Sequence, residues 1–171
     1  MKKVSIIGLG YVGLPLALAI ERSQKYEVVG FDISKEQVKK ILSKECPITD
    51  ELAERDLNEL DLHATTDSDE LKDTDIFIIC VPTPVLDDYT PDYTPVISAG
   101  KTISTYLKKG ATVVLESTVN PGTCEEILVP VLEKEVDWLQ VKILMSLCVQ
   151  RELILVTLSG MSTIFLEILV V

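Results

Sequence analysis

Apolar residues along this chain fall in short blocks that alternate with longer stretches of helical period. The blocks Val4–Ile7, Glu27–Phe31, Asp75–Val81 and Ala111–Glu116, with a short one near His63–Thr65, have the length and β-branched content of buried strands. Between them Val12–Ser23, Lys35–Ser43, about Glu51–Leu57, Thr94–Lys108 and Gly122–Lys134 repeat their apolar positions every three or four residues and predict helices. Strands that are apolar throughout, separated by amphipathic helices, imply βα units around a parallel sheet covered on both faces.

Punctuation agrees with this division. Asp32-Ile33-Ser34 offers a helix N-cap ahead of Lys35, and Lys108-Lys109-Gly110 offers a cationic last turn with a glycine stop. Right-handed crossovers then give a Rossmann-like, doubly wound α/β sheet, which takes its ligand outside the carboxyl ends of the strands.

The length of 171 residues suits one domain with its own core. A formal charge of −11 disfavours a nucleic-acid partner, because most of the surface repels phosphodiester backbones. The four cysteines, Cys46, Cys80, Cys124 and Cys148, form no close pair, and His63 is the only histidine. Neither a zinc site nor a disulfide scaffold is indicated, and a reducing cytoplasm fits this usage. Lys2 and Lys3 ahead of an apolar stretch imitate a signal peptide, but Gly8, Gly10 and Gly13 interrupt the stretch, which reads as a buried strand.

Gly8-Leu9-Gly10-Tyr11-Val12-Gly13 follows a strand and opens a helix, the setting in which G-x-G-x-x-G binds a dinucleotide. Gly8 permits the tight turn, Gly10 lets backbone approach a pyrophosphate, and Gly13 lets helix pack on strand. The helix N-terminus meets the anion with free N–H groups. Asp32 ends the second strand, where a carboxylate accepts from ribose hydroxyls and repels a 2′-phosphate, so NAD is favoured over NADP. The plainer alternative is a packing turn with Asp32 as a helix cap. It loses because strand, glycines, helix and acid stand in register.

Later segments narrow the field. Gly10-Tyr11-Val12-Gly13-Leu14-Pro15, Cys80-Val81-Pro82-Thr83-Pro84, Pro91-Asp92-Tyr93-Thr94-Pro95 and Glu116-Ser117-Thr118-Val119-Asn120-Pro121-Gly122-Thr123 together resemble the nucleotide-sugar 6-dehydrogenase family over residues 1–135. That family includes UDP-glucose, GDP-mannose and UDP-N-acetylhexosamine enzymes, and Leu14-Pro15 with the Pro-Thr-Pro segment leans towards the last. The resemblance implies an NAD site built from Gly8, Gly10, Tyr11, Val12, Gly13, Asp32, Lys35, Pro82, Thr83, Ser117 and Thr118. Thr83 and Thr118 would line the nicotinamide side, with Thr118 ordering a catalytic water.

One position departs from the family. Arg or Lys often stands five residues beyond the strand-end Asp, whereas this chain has Gln37, and Lys35 is the candidate replacement. The resemblance also implies two successive oxidations of a sugar 6-hydroxyl, in polysaccharide biosynthesis, through a thiohemiacetal on a cysteine nucleophile. That cysteine belongs to a downstream domain, and none of this chain's four matches it. The family dimerises through a central helix for which no match appears here, leaving oligomeric state open.

From Val136 the character changes, and Leu153–Val171 is almost continuously apolar. As a membrane span it sits at the short limit of roughly 17–25 residues and carries Glu167 inside it, so membrane insertion is disfavoured. Reading one base over explains more. Codons for Gln150 to Thr157 shifted this way spell Glu-Arg-Ile-Asn-Pro-Gly-Asp, and those for Cys148 to Gln150 spell Cys-Pro-Glu, as the family has at the end of its sixth strand and just after it. The expectation is a cofactor domain at 1–135 and an out-of-frame tail at 136–171, created by loss of one base near Glu135 and lacking the sixth strand. Two functions stay open: the NAD-binding part of a 6-dehydrogenase, inactive alone, or a non-catalytic dinucleotide-binding module tethered by the apolar tail. A 3-hydroxyacid dehydrogenase is disfavoured by the Glu116–Val119 and Val81–Pro84 segments.

Overall fold

The computed structural model describes residues 1–134 and the strand Lys142–Met145. Six strands, β1 (Lys2–Ile7), β2 (Tyr26–Phe31), β3 (Ala64–Thr65), β4 (Ile76–Ile79), β5 (Thr112–Leu115) and β6 (Lys142–Met145), form one sheet in the order β3-β2-β1-β4-β5-β6. Every pairing is parallel. Helices α1 (Gly13–Ser23), α2 (Lys35–Leu42), α3 (Glu51–Glu59), α4 (Thr94–Ser104) and α5 (Val129–Glu133) complete the doubly wound fold that the alternating blocks imply.

Strand β4 illustrates why those blocks are apolar without interruption. Its four residues are all buried, with Ile76 and Ile78 in one core and Phe77 and Ile79 in the other. The first core takes Leu14 and Leu18 of α1, Val38 and Ile41 of α2, and Ala53 and Leu57 of α3. The second takes Val96 and Ile103 of α4, then Leu128 and Leu132 near α5. At roughly 1.5–3 kcal/mol for each large side chain removed from water, these two layers supply the main drive to fold. The order reverses between β1 and β4, so the crevice between their carboxyl ends is where a ligand fits.

At the opposite end of the sheet the polar groups are paired. Buried Ser5 shares a 2.7 Å hydroxyl contact with Thr74, which donates to the Leu71 carbonyl at 2.8 Å. The Asp75 carboxylate accepts the Lys3 N–H at 2.8 Å and pairs with Lys108 at 2.8 Å.

Beyond shifts of one to two residues at element ends, three features differ from the sequence reading. Helix α4 stops at Ser104 rather than Lys108. Hydroxyls in its last turns compete for helix carbonyls, Ser104 donating to Lys101 and Thr102 to Ser98, and buried Leu107 then turns inward. The Lys108–Gly110 stop instead forms the turn into β5, with Gly110 at φ +85° and the Ala111 N–H donating to the Lys108 carbonyl at 3.0 Å.

In the last helical segment, Cys124–Leu128 is a π turn closed by the Val129 N–H on the Cys124 carbonyl. Pro130 comes next and has no N–H to continue an α register. The third difference is β6. The expectation that no sixth strand is present in frame is corrected, because Lys142–Met145 pairs with Thr112–Leu115. An edge is recognised through backbone groups, so a short apolar run beside β5 suffices whatever its origin. The apolar stretch Leu153–Val171 and the remaining tail residues lie outside the described residues.

Candidate functional site at the carboxyl ends of the strands

The turn after β1 is held by contacts that explain two of its glycines from within the protein. Gly8 adopts φ +94°, donates its N–H to the Phe31 carbonyl at 2.8 Å, and leaves only 2.9 Å between an added Cβ and the Cys80 carbonyl oxygen. A Cβ on Gly13 would overlap the Gly8 carbonyl oxygen. Gly10 is different, since a Cβ there meets nothing within 4 Å. Its missing side chain serves no contact among the described residues and leaves open space in front of α1. That helix starts with the Leu14 N–H on the Gly10 carbonyl at 3.0 Å, without a side-chain cap or an acidic residue in its first turn. Its N-terminus therefore presents donors and a positive dipole end to that space.

Leu9, between the first two glycines, is secured on three sides. Its side chain is fully buried in a notch left by Gly30 of β2, where an added Cβ would come within 2.9 Å of Leu9. Its N–H donates to Oδ2 of Asp32 at 2.8 Å, and its carbonyl accepts from Nε2 of Gln37 at 2.8 Å. The other Asp32 oxygen accepts the Ser34 N–H at 2.8 Å. Ser34, not Asp32, caps α2, its hydroxyl accepting the Gln37 N–H at 3.3 Å. Asp32 thus braces the glycine turn while each oxygen keeps a lone pair for an incoming hydroxyl.

Two cavities flank the turn and share Val81 and Pro82. One, of about 210 Å³, has apolar walls from Ile7, Phe31, Ile33 and Pro95, with Asp32 in its lining, and suits a flat heterocycle joined to a ribose. The other, of about 340 Å³, gathers Gly10, Tyr11, Val12, Cys80, Thr83, Glu116, Ser117 and Thr118. Its wall is tied across neighbouring loops: Ser117 Oγ donates to the Val81 carbonyl at 2.6 Å, and Thr83 Oγ1 donates to the Thr118 carbonyl at 2.7 Å. Farther out, the Thr123 and Tyr93 hydroxyls meet at 3.2 Å.

The residues expected from sequence are thus brought together, with one exception. Gly8, Gly10, Tyr11, Val12, Asp32, Pro82, Thr83, Ser117 and Thr118 line the cavities, and Gly13 seats α1 behind the turn. Lys35 stands exposed on the first turn of α2 and lines neither cavity. Sequence reading missed Gln37 and Gly30 as supports of the turn. The signal was present for Gln37 in Ser34-Lys35-Glu36-Gln37, a capping-box spacing. Cys80 and Cys124 are buried as core, as their apolar surroundings imply. Burial, with Glu116 adding to it, pushes the Cys80 thiol up, and burial aided by Glu125 pushes Cys124 up to about 11. Both stay protonated and unreactive near neutrality. Among the described residues no cluster of His, Cys, Asp and Glu could hold a metal ion, and no helix is long and apolar enough to cross a membrane.

Comparison with known proteins agrees with this geometry. Residues 2–152 match the domain described as UDP-glucose/GDP-mannose dehydrogenase family, NAD binding domain. UDP-N-acetyl-D-glucosamine 6-dehydrogenases of Pseudomonas aeruginosa and Salmonella typhi are 44% and 43% identical over 133 residues, covering 77% of this chain and 31% of each relative. A solved UDP-D-ManNAc dehydrogenase from Pyrococcus horikoshii superimposes with a TM-score of 0.78 at 35% identity, over 84% of this chain and 35% of that one. The chain spans about a third of the length of these relatives. The residues present are compatible with the NAD that this domain family binds: there is open space at Gly10, and Asp32 keeps lone pairs beyond the two N–H groups it accepts.

Proposed function

Because this chain belongs to the UDP-glucose/GDP-mannose dehydrogenase family as its NAD-binding domain, we propose that it is the cofactor half of a nucleotide-sugar 6-dehydrogenase acting on a UDP-N-acetylhexosamine. The observation that carries the reading is Gly10, the glycine whose absent Cβ no protein contact requires. Gly10 and the N-terminus of α1 would receive the pyrophosphate, Asp32 the adenosine ribose, and the cavity of Phe31, Ile33 and Pro95 the adenine. Thr83, Ser117 and Thr118, with Tyr11 and Val12, would border the nicotinamide, and Thr118 would orient a water. Lys35, exposed at the start of α2 and lining neither cavity, would meet the phosphates only from outside them. Bound NAD would supply the hydride acceptor for oxidation of the sugar 6-hydroxyl.

The thiol in the wall of the site, Cys80, is not fitted to hold an aldehyde, since it is protonated and buried. The 171-residue chain therefore binds NAD without turnover by itself, in a cytoplasmic route to polysaccharide precursors. Calorimetric titration with NAD and NADP, alongside NADH absorbance with UDP-N-acetylglucosamine and UDP-N-acetylmannosamine, tests this. NAD binding tighter than NADP and flat absorbance are expected. Steady NADH formation, or no preference between the cofactors, overturns the reading. The division into 1–135 and an out-of-frame 136–171 is part of the same proposal. The coding DNA across codon 135 decides it, because an intact downstream frame without the family continuation rules it out.

A further inference from the structure

Gln37 stands where Arg or Lys is common, yet its side chain is neither idle nor turned to solvent. It is half-buried, and its Nε2 donates to the Leu9 carbonyl at 2.8 Å, across 28 residues of sequence. The Leu9 carbonyl and the Gly10 N–H belong to one planar trans peptide and point in opposite directions. Fixing the oxygen towards α2 therefore aims the Gly10 N–H away from it, towards the open space ahead of α1. The Gly10 N–H has no acceptor among the described residues. A flexible glycine turn would otherwise sample several orientations of this peptide and give up binding energy to freeze one.

The local sequence makes Gln37 available for this work. In a capping box its amide would turn back to the N–H of Ser34. Here Asp32 Oδ1 already accepts that N–H, and the second Asp32 oxygen takes the Leu9 N–H. The Gln37 side chain is left to reach across to Leu9, while its own N–H still meets the Ser34 hydroxyl at 3.3 Å. Asp32 and Gln37 thus grip the two polar groups of one residue from opposite sides.

We propose that Gln37 is a positioning residue of the cofactor site, holding the Leu9–Gly10 peptide so that the Gly10 N–H faces the pyrophosphate. The proposal rests on the NAD-binding reading above. It assigns to a neutral amide the ordering of the turn, rather than contact with the dinucleotide itself.

The test uses the full 171-residue chain, 15N-labelled, as wild type, Gln37→Met, Gln37→Glu and Gln37→Lys. Met keeps the length without a donor, Glu sets an acceptor against the Leu9 carbonyl, and Lys restores a donor. Expected for Gln37→Met are NAD and ADP-ribose affinities about fivefold weaker, the worth of one net hydrogen bond, with adenosine binding unchanged. The Gly10 amide signal of the ligand-free protein moves, and the melting temperature falls by only about 2–8 °C, as for one hydrogen bond lost from the free protein. Gln37→Glu is weaker still, and Gln37→Lys recovers both the affinity and the Gly10 signal. An unmoved Gly10 signal in Gln37→Met, or equal losses for adenosine and ADP-ribose, overturns the proposal. If the wild type binds no NAD, the cofactor reading fails, and the ligand-free Gly10 signal still decides the tether: moved supports it, unmoved overturns it.

Discussion

The Thr83 hydroxyl donates to the carbonyl of Thr118 at 2.7 Å, joining residues 35 apart in sequence. With Ser117 Oγ donating to the Val81 carbonyl at 2.6 Å, the link runs in both directions between the loops that leave β4 and β5. Each loop satisfies a backbone group of the other, so the wall of the larger cavity is shaped before any ligand arrives.

Removing either hydroxyl should therefore loosen the same wall. Thr83→Val and Ser117→Ala are each expected to weaken NAD binding by about threefold to tenfold, near 1 kcal/mol per hydrogen bond. The double variant should lose less than the sum, because both bonds act on one pair of loops. A calorimetric double-mutant cycle checks this. Strict additivity would show that the loops are independent.

The glycines separate folding from binding. Gly13→Ala drives a Cβ into the Gly8 carbonyl, and a loss of several kcal/mol or outright misfolding is expected. Gly10→Ala meets open space, so its melting temperature should stay near wild type while NAD affinity falls at least about tenfold through steric conflict with the pyrophosphate. Thermal unfolding and NAD titration on the same samples distinguish the two. Equal NAD affinity in Gly10→Ala would remove the strongest argument for the site.

Asp32 holds the turn through both its oxygens, and the proposed NAD site gives it the ribose as well. Asp32→Ala leaves the N–H groups of Leu9 and Ser34 without their acceptor and removes the ribose-facing charge. NAD affinity should fall by more than about tenfold, consistent with losing charged hydrogen bonds of roughly 1.5–3 kcal/mol. NADP should lose less, since the repulsion of its 2′-phosphate goes as well. Parallel titrations with both cofactors measure the change in their ratio.

At the far end of the sheet, Asp75 predicts a pH dependence. Burial alone would raise its pKa, but the Lys108 ammonium and the Lys3 N–H outweigh burial and hold it below the ordinary carboxylate value. A depressed carboxylate stabilises the fold above its unfolded pKa, near 3.9, and that contribution is lost as pH falls through the folded value. Wild type should therefore lose stability below about pH 4. Asp75→Asn should be less stable at neutral pH by about 1 kcal/mol and flatter over the acid range. Urea melts at neutral and acid pH compare the two.

Much of this was legible in the sequence because it depends on local chemistry. The apolar blocks declared strands buried on two faces, and Ser34 capped α2 as its position suggested. The glycine spacing and Asp32 marked the turn that the structure sets between the two cavities. The Lys108-Lys109-Gly110 stop placed the end of α4 too late, because the Thr and Ser hydroxyls of its last turns divert helix carbonyls and end it at Ser104. The sixth strand was missed because an edge pairs through backbone, which leaves little signature in a lysine and three apolar residues.

By itself, then, the sequence determined the alternation of strand and helix, the two-faced sheet and the place of the glycine-rich turn, since each follows from periodicity and from residues adjacent along the chain. Only the tertiary structure decided how that turn is held. The contacts of Gln37 and Asp32 with Leu9, of Leu9 with Gly30, and of Thr83 with Thr118 join segments that come together when parallel strands align their carboxyl ends. Their distances follow from register and crossover, which no local pattern of residues encodes.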